Sequence, residues 1–372
     1  MTADDIMHRH IEAKGGADRW RAVTSMEITG TLLSFSEPTP FRLVRVRPDR
    51  FRLEQTVLKL PVVLVHDGTT SWWINGLAGN TWPLPAPGDN AGMIKSQAEF
   101  APPLIAAREN GYSVELQGQE EFEGRRAWKL KLTREGGGEE TWYLDPKSYL
   151  EIASISSTID FGQSMEKRSY YTDFRKAGGL VMPFNVETEY GQRNDTFRIE
   201  EVKTGVAVDE AIFKLPPPPG MELLLPMVGS WDLKVETRPN PRVPWEAKQS
   251  SSTITAMLDN GLLVESYSVE QGGATVQTLR SWSYDLFRKV YRVVEADNYS
   301  FMQNVMEGAM TDGRLTVDNI KTGTTLQVQD QALHMRLVAY EITPDGFKLD
   351  AEVSRDAGKT WRTDTRYTYT RK

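Results

Sequence analysis

The chain contains four consecutive prolines, Pro216-Pro217-Pro218-Pro219, which are followed by Gly220. Proline offers no backbone N–H, so such a run joins neither a sheet ladder nor a helix interior. It favours an extended polyproline II spacer about 12 Å long. The run therefore predicts a proline-rich linker over residues 216–221, between a domain of residues 1–215 and a second domain of residues 222–372.

Composition restricts the class of protein and of ligand. The chain has 372 residues, a formal net charge of −7 and no cysteine. An acidic chain lacks the cationic surface that nucleic acid requires, and no apolar run reaches the ~18 residues of a membrane span. The absence of cysteine excludes disulfides, thiolate nucleophiles and cysteine-based zinc sites. We therefore expect no nucleic-acid partner, no integral membrane segment, no metal and no cofactor.

Helix signals are few and lie in the first domain. Thr2 is a plausible N-cap and Gly15-Gly16 a stop, which predicts one short amphipathic helix between them. Ser96 to Ala107 is interpreted as the second helix, with a break at Pro102-Pro103. The first residues carry no signal-peptide pattern, so an exported protein would have lost its leader.

Strand patterns dominate the rest of the sequence. Met26, Ile28 and Leu32 alternate with polar residues, which is typical of a half-buried strand. Similar runs fill the first domain and predict a curved antiparallel sheet, a half-barrel, with a short helical lid. In the second domain, short strands at regular spacing and turns such as Asp345-Gly346 predict a closed antiparallel β-barrel.

Catalytic motifs are scarce. The sequence has four histidines and no nucleophile elbow, His-Glu-x-x-His or phosphate loop. We assign no catalytic residue. The enzyme alternative is a hydrolase or isomerase inside the second barrel that uses His334 with Asp350 or Glu352. Alternation along that strand places His334 on the solvent side, unless the barrel interior is polar.

One hairpin motif is specific. Ser354-Arg355-Asp356-Ala357-Gly358-Lys359-Thr360-Trp361 matches the Asp-box, Ser-x-Asp-x-Gly-x-x-Trp, of sialidase propeller blades. A propeller needs several blades and the motif occurs once. The interpretation is therefore structural: Asp356 accepts hydrogen bonds from turn amides and Gly358 supplies a positive φ.

The order of motifs in residues 10–217 resembles the LolA/LolB-like periplasmic lipoprotein-carrier superfamily. The resemblance rests on His10-Ile11-Glu12-Ala13-Lys14-Gly15-Gly16, Asp67-Gly68-Thr69-Thr70-Ser71-Trp72 and Thr141-Trp142-Tyr143-Leu144-Asp145-Pro146, and on Asp209-Glu210-Ala211-Ile212-Phe213 at the end. It implies an unfinished β-barrel that holds acyl chains under lid helices. No catalytic residue comes with it.

Residues 222–372 resemble a lipocalin-like (calycin) domain of uncharacterised function. The resemblance rests on Gly229-Ser230-Trp231-Asp232 near the first strand, Trp282-Ser283-Tyr284-Asp285 in the middle and the late Gly358-Lys359-Thr360-Trp361. It implies that Trp231 closes one end of a barrel.

Together these patterns predict non-enzymatic binding or carriage of an apolar, lipid-like ligand in the bacterial cell envelope, in a periplasmic or secreted protein. Tryptophan-rich segments supply the candidate site, because large aromatic side chains line apolar cavities as well as cores. A third alternative is a module that binds an envelope protein partner. The ligand-binding residues predicted are Trp72, Trp73, Trp82, Phe100, Leu104, Trp142, Trp282, Tyr284 and Tyr291.

Overall fold

The computed structural model describes residues 1–160, 163–328 and 331–372. The chain divides into two compact units, Met1–Pro216 and Pro217–Lys372. The described residues are mainly β, with a large curved and open sheet in the first unit and a closed antiparallel barrel in the second. The fold class predicted from the strand patterns is confirmed.

The sheet of the first unit has thirteen antiparallel strands within the described residues. They are β1 (Ser25–Ser34), β2 (Glu37–Val46), β3 (Arg50–Val57), β4 (Leu60–His66), β5 (Ser71–Asn75), β6 (Asn80–Pro85), β7 (Ser113–Phe122), β8 (Arg125–Thr133), β9 (Glu139–Leu144), β10 (Glu151–Asp160), β11 (Gln163–Ala177), β12 (Leu180–Tyr190) and β13 (Arg193–Thr204). Their order in the sheet is β6-β5-β4-β3-β2-β1-β13-β12-β11-β10-β9-β8-β7.

Strand β1 lies at the centre of this sheet and shows why the sequence forms it. Met26, Ile28 and Leu32 alternate into the core and are each at most 5% exposed. A register shift between Thr29 and Gly30 marks a bulge against β13. The apolar side chains of the central strands therefore lie on the concave side of the sheet.

Four helices accompany the sheet in the described part of the first unit. They are α1 (Ala3–Ala13), α2 (Ala17–Ala22), α3 (Gly88–Gln97) and α4 (Pro103–Ala106). As predicted, Thr2 caps α1: its side chain accepts from the Asp5 amide at 3.2 Å, and the Asp5 carboxylate accepts from the Thr2 amide at 2.7 Å.

The helix predicted over Ser96 to Ala107 is wrong in its bounds. Helix α3 begins at Gly88 and ends at Gln97, and α4 begins only at Pro103, so the break at Pro102-Pro103 is present. The sequence conceals α3 because Gly88 and Gly92 are weak helix formers. Tertiary packing, with Ile94 fully buried, stabilises the helix instead.

The second unit contains eleven described strands. They are β14 (Gly229–Thr237), β15 (Glu246–Met257), β16 (Leu262–Gln271), β17 (Ala274–Asp285), β18 (Val290–Asp297), β19 (Gln303–Thr311), β20 (Arg314–Asp318), β21 (Leu326–Val328), β22 (Gln331–Tyr340), β23 (Gly346–Ser354) and β24 (Arg362–Arg371). Pairing of β20 with β22 closes a ten-stranded ring, and β21 pairs with β22 outside it.

Trp231 lies on β14 in the barrel core and is fully buried. Its indole Nε1 donates to the Met227 carbonyl at 2.9 Å, and the Arg371 guanidinium lies 3.9 Å from its ring centroid. Arg371 also donates to the carbonyls of Val228 and Pro226 at 2.7 and 3.0 Å. These contacts tie the segment that enters the barrel to its last strand.

The Asp-box forms the turn between β23 and β24. Asp356 accepts from the Thr360 amide at 2.9 Å and from its hydroxyl at 2.6 Å, while Gly358 has φ +81°. These hydrogen bonds lower the pKa of Asp356 to about 2. The predicted turn geometry is therefore present.

Candidate ligand-binding site

Two cavities lie on the concave face of the first unit's sheet. The larger, about 470 Å³, is called here the mixed cavity, and the smaller, about 250 Å³, the apolar cavity. Gln97, the last residue of α3, lines both. Of these two, only the mixed cavity has the size of an ordinary small-molecule site.

The mixed cavity has walls of different chemistry. Strands β3, β4 and β5 supply an apolar wall, which includes Leu53, Val57, Val62, Leu64 and Trp73. Strands β10 to β13 supply polar groups, which include Thr158, Lys167, Thr188, Tyr190 and Asp195. Because side chains alternate between the two faces of a strand, each wall is formed by the side chains on the strand faces that point toward the cavity.

Helix α3 covers the mixed cavity. Asn90, Met93 and Gln97 line it at the spacing of one helical face. A chain of hydrogen bonds fixes the helix to the sheet: Ser71 Oγ donates to the Ala91 carbonyl at 3.1 Å and contacts His66 Nδ1 at 3.0 Å. Since the Ser71 proton is used on Ala91, His66 Nδ1–H is the donor to Ser71. This serine is therefore an anchor for the helix.

The apolar cavity lies beneath the segment after α3. Its walls include Trp20, Met26, Ile28, Phe100 and Trp142. Trp142 stacks on Tyr171, with ring centroids 5.8 Å apart. Burial raises the pKa of Tyr171, whose hydroxyl contacts Ser154 Oγ at 2.8 Å. The lining combines these apolar and aromatic side chains with charged groups, and two of its buried polar atoms, Arg45 Nε and Glu99 Oε2, have no hydrogen-bond partner among the described residues.

The segment over the apolar cavity is held by side chains at its start. Arg45 donates from Nη1 to the carbonyls of Glu99 and Phe100. Burial lowers the pKa of Arg45 to about 10, although the charge of Glu99 opposes that shift. The Glu99 carboxylate accepts from Tyr112 at 2.6 Å and pairs with Arg134.

A buried charged cluster lies where α1 meets the sheet. Lys14 Nζ is 2.8 Å from Glu151 Oε1, and His10 Nδ1 donates to the Tyr149 carbonyl at 2.8 Å. Lys14 and Glu151 also line the apolar cavity. Burial lowers the pKa of His10, opposed by the charge of Glu151. The cluster attaches the N-terminal helix to β10.

Three of the predicted site residues line these cavities: Trp73 the mixed cavity, and Phe100 and Trp142 the apolar one. Trp72 packs on the other face of the sheet, where its Nε1 donates to the Phe213 carbonyl at 2.7 Å. Leu104 lies in the core beside Ile6 and Trp142. Trp82 is half-buried on the edge strand β6.

The three predicted residues of the barrel are packing residues in this structure. Trp282 is fully buried in the barrel core. Tyr284 and Tyr291 meet edge-on at 4.8 Å between ring centroids, and Tyr291 OH donates to the Gly220 carbonyl at 2.9 Å. These two tyrosines pack against Gly220, the residue that follows the proline run. Whether they also contact a ligand stays a prediction.

A network of charged and phenolic groups occupies the barrel interior. Arg280 and Glu265 are fully buried and pair at 2.9 Å, and Arg280 also pairs with Glu295. Tyr369 OH donates to Glu265 Oε1 at 2.7 Å, and Arg280 Nη2 donates to Tyr267 OH at 3.2 Å. Each charged partner of this network would be costly to bury alone.

The geometry that the enzyme alternative requires is not found in the described residues. His334 Nδ1 is buried without a hydrogen-bond partner, and no carboxylate there forms an ion pair with the ring. Glu352 is instead engaged by Arg336. Leu337 and Ala339 face the barrel core, which leaves His334 on the other face of β22.

Sequence reasoning missed most of the cavity lining. Lys167, Gln55, Met93 and Phe197 line the mixed cavity, and none of them was predicted. The one signal in the sequence was that Lys167, Ser169 and Tyr171, at every second position, share one face of a strand. The other face of that strand is strongly charged. Composition alone does not reveal which face of such a strand is enclosed.

Comparison with known proteins gives the following similarities. A family model described as a protein of unknown function, DUF1579, matches residues 217–371. No curated protein matches the sequence. No helix among the described residues is long and apolar enough to cross a membrane.

Among solved structures, the chain is similar to the LolA superfamily protein NE2245 from Nitrosomonas europaea, with 13% identity, a TM-score of 0.40 and coverage of 57% of this chain and 98% of that one. An outer membrane lipoprotein-sorting protein domain from Vibrio parahaemolyticus is similar at 10% identity and a TM-score of 0.38, covering 57% and 97%. A DUF1329 family protein from Desulfovibrio piger is similar at 8% identity and a TM-score of 0.40, covering 57% and 97%.

Proposed function

We propose that the first unit binds and carries a lipid-like molecule on the concave face of its sheet, without transforming it. The observation that carries this proposal is that the mixed and apolar cavities are neighbours, with Gln97 in the lining of both, under α3 and the segment that follows it. Burying hydrocarbon there gains about 0.8 kcal/mol per CH₂ group. A chain of several carbons therefore binds with few polar contacts.

The test uses the neutral fluorescent probe N-phenyl-1-naphthylamine with the whole protein. Leu64 is 8% exposed and lines the mixed cavity, so Leu64→Trp fills space that the ligand needs. Leu279→Trp adds the same bulk at a position of the barrel that is 57% exposed. We expect the first variant to weaken probe binding by about tenfold, and the second to bind as the parent does.

Extraction of the purified protein with organic solvent, followed by mass spectrometry, identifies any retained lipid. The proposal is overturned if the parent protein neither binds the probe nor yields lipid. It is also overturned if Leu64→Trp, shown by circular dichroism to be folded, binds the probe as strongly as the parent.

For the second unit we propose a lipocalin-like fold, supported by the buried Trp231 on the first barrel strand and the Arg371 guanidinium over its ring. We further propose a cell-envelope location, periplasmic or secreted, as the resemblance of the first unit implies. Fractionation of the native cells with an antibody to this protein checks the location. An envelope protein partner stays a prediction.

A further inference from the structure

The mixed cavity contains a cationic side chain that its own protein does not neutralise. Lys167 lies on β11, on the same strand face as Ser169 and Tyr171, and lines the cavity. Within the part of the chain that the structure describes, its ammonium group forms no ion pair and no hydrogen bond. The side chain is half-buried, so an anion in the cavity would meet a cation that has no protein partner among the described residues.

The acids near Lys167 are already engaged. The charge of Glu140 acts on Lys167, but its carboxylate accepts from Arg134 at 2.7 Å and from Trp142 at 2.9 Å. Asp195, in the same cavity, accepts from Ser34 at 2.5 Å and from Tyr190 at 2.7 Å. Burial lowers the pKa of Lys167, opposed by the charge of Glu140.

A second polar group in the cavity is also without a partner. Gln55 Oε1 is buried and accepts no hydrogen bond, and Gln55 lines the mixed cavity with Lys167. Since the two ends of a carboxamide exchange places by a simple rotation, Gln55 can present either an acceptor or an NH₂ donor to a ligand. The cavity therefore offers a cation without a protein partner in the described part of the chain, Lys167, and an adaptable amide, Gln55; Arg193 also lines it.

Apolar surface leads away from these groups. Val57, Leu64 and Trp73 form the wall contributed by β3 to β5, and Gln97 also lines the neighbouring apolar cavity with Ile28 and Phe100. This arrangement accommodates a molecule with one anionic end and one hydrocarbon end. An uncharged hydrocarbon would leave the ammonium group of Lys167 unpaired.

We infer that the ligand is a single-chain amphiphile with an anionic headgroup, a carboxylate or a phosphate, which lies against Lys167 while its chain extends toward the apolar cavity. This inference rests on the proposed function and adds the chemical class of the ligand. A charge-assisted hydrogen bond of this kind is about twice as strong as a neutral one. The headgroup therefore supplies selectivity, and the chain supplies most of the affinity.

The experiment measures displacement of N-phenyl-1-naphthylamine by decanoate, decyl phosphate and 1-decanol, which share one chain length, near neutral pH. The proteins are the parent, Lys167→Met and Lys176→Met. Lys176 lies on the same strand and is exposed, so its variant removes an equal charge far from the cavity lining. Lys167→Gln serves as a second neutral variant if Lys167→Met does not fold.

We expect the parent and Lys176→Met to bind at least one of the two anions about tenfold more tightly than 1-decanol. The Lys167 variants should lose that preference and keep the affinity for 1-decanol. The anion preferred by the parent distinguishes a carboxylate from a phosphate headgroup.

Two results contradict the inference and leave the proposed function intact: equal binding of all three molecules by the parent, or an unchanged anion preference in folded Lys167 variants. If the parent binds neither the probe nor any of the three molecules, the proposed function itself fails and the inference fails with it.

Discussion

Lys14 Nζ lies 2.8 Å from Glu151 Oε1, and the two side chains are 1% and 4% exposed. The pair joins α1 to β10 across 137 residues of sequence. Lys14 also accepts a hydrogen bond from the Val181 amide through its carbonyl at 3.0 Å. One residue at the end of α1 thus connects the helix to two strands and borders the apolar cavity.

Lys14→Met should destabilise the first unit by about 3–5 kcal/mol, because it leaves the Glu151 carboxylate buried without its partner. Denaturation by urea, followed by circular dichroism, measures the loss. Arg21→Met provides the surface control, since Arg21 and its partner Asp18 are 55% and 99% exposed, and should cost less than about 1 kcal/mol. Equal costs for the two variants would disprove a special role for the buried pair.

The stability of the first unit should fall as the pH falls. Burial lowers the pKa of His10 below its usual 6.5. Burial acts to raise the pKa of Glu151, but the charges of Lys14 and His10 outweigh it and lower the pKa below 4.5. Both groups bind protons more readily in the unfolded chain, so each contributes stability above its unfolded pKa that is lost on acidification.

Thermal melting between about pH 8 and pH 4 measures this dependence. We expect the melting temperature to decline first below about pH 6.5, where unfolded His10 becomes protonated, and again near the titration of Glu151. His10→Asn keeps a side-chain donor for the Tyr149 carbonyl and should remove the first decline. A parent protein whose melting temperature is flat from pH 8 to pH 5 contradicts the prediction.

Arg280→Met should destabilise the barrel by about 3–5 kcal/mol, because Glu265 is fully buried and would lose its ion-pair partner. Arg292→Met is the matched control. Arg292 lies on the neighbouring strand, pairs with Glu307 at 3.3 Å, and is 36% exposed, so its removal should cost about 1 kcal/mol or less. The difference between the two variants in urea denaturation tests the contribution of the interior network, and a similar cost for both would refute it.

Two glycines of the first unit should respond to alanine in opposite directions. A Cβ at Gly30 would lie 2.1 Å from the Arg198 carbonyl oxygen at the β1–β13 bulge, so Gly30→Ala should be strongly destabilising. A Cβ at Gly92 would meet nothing within 4 Å, and Gly92→Ala should stabilise α3 by about 0.5–1 kcal/mol. Melting temperatures of the two variants provide the measurement, and a shift of the same sign in both contradicts the structure at one of the two sites.

Local patterns predicted much of the fold. The alternation of Met26, Ile28 and Leu32 predicted a strand, and Thr2 predicted the start of α1, because each depends on neighbours in sequence. Helix α3 escaped prediction for the opposite reason: its own residues favour helix weakly, and contacts such as those of Ile94 stabilise it. The site was predicted only partly, since Trp72 and Trp73 are adjacent in sequence but lie on opposite faces of β5.

The sequence by itself determined that the chain is mainly β, that the proline run carries no strand or helix, and that thiol chemistry is excluded. Only the tertiary structure decided which strand faces enclose a cavity. That choice depends on the curvature of the sheet and on the cover supplied by α3, both of which arise from contacts between distant residues. Lys167 illustrates the difference: in sequence it is one lysine among many charged residues, and in the fold it is an unpaired cation inside a partly apolar cavity.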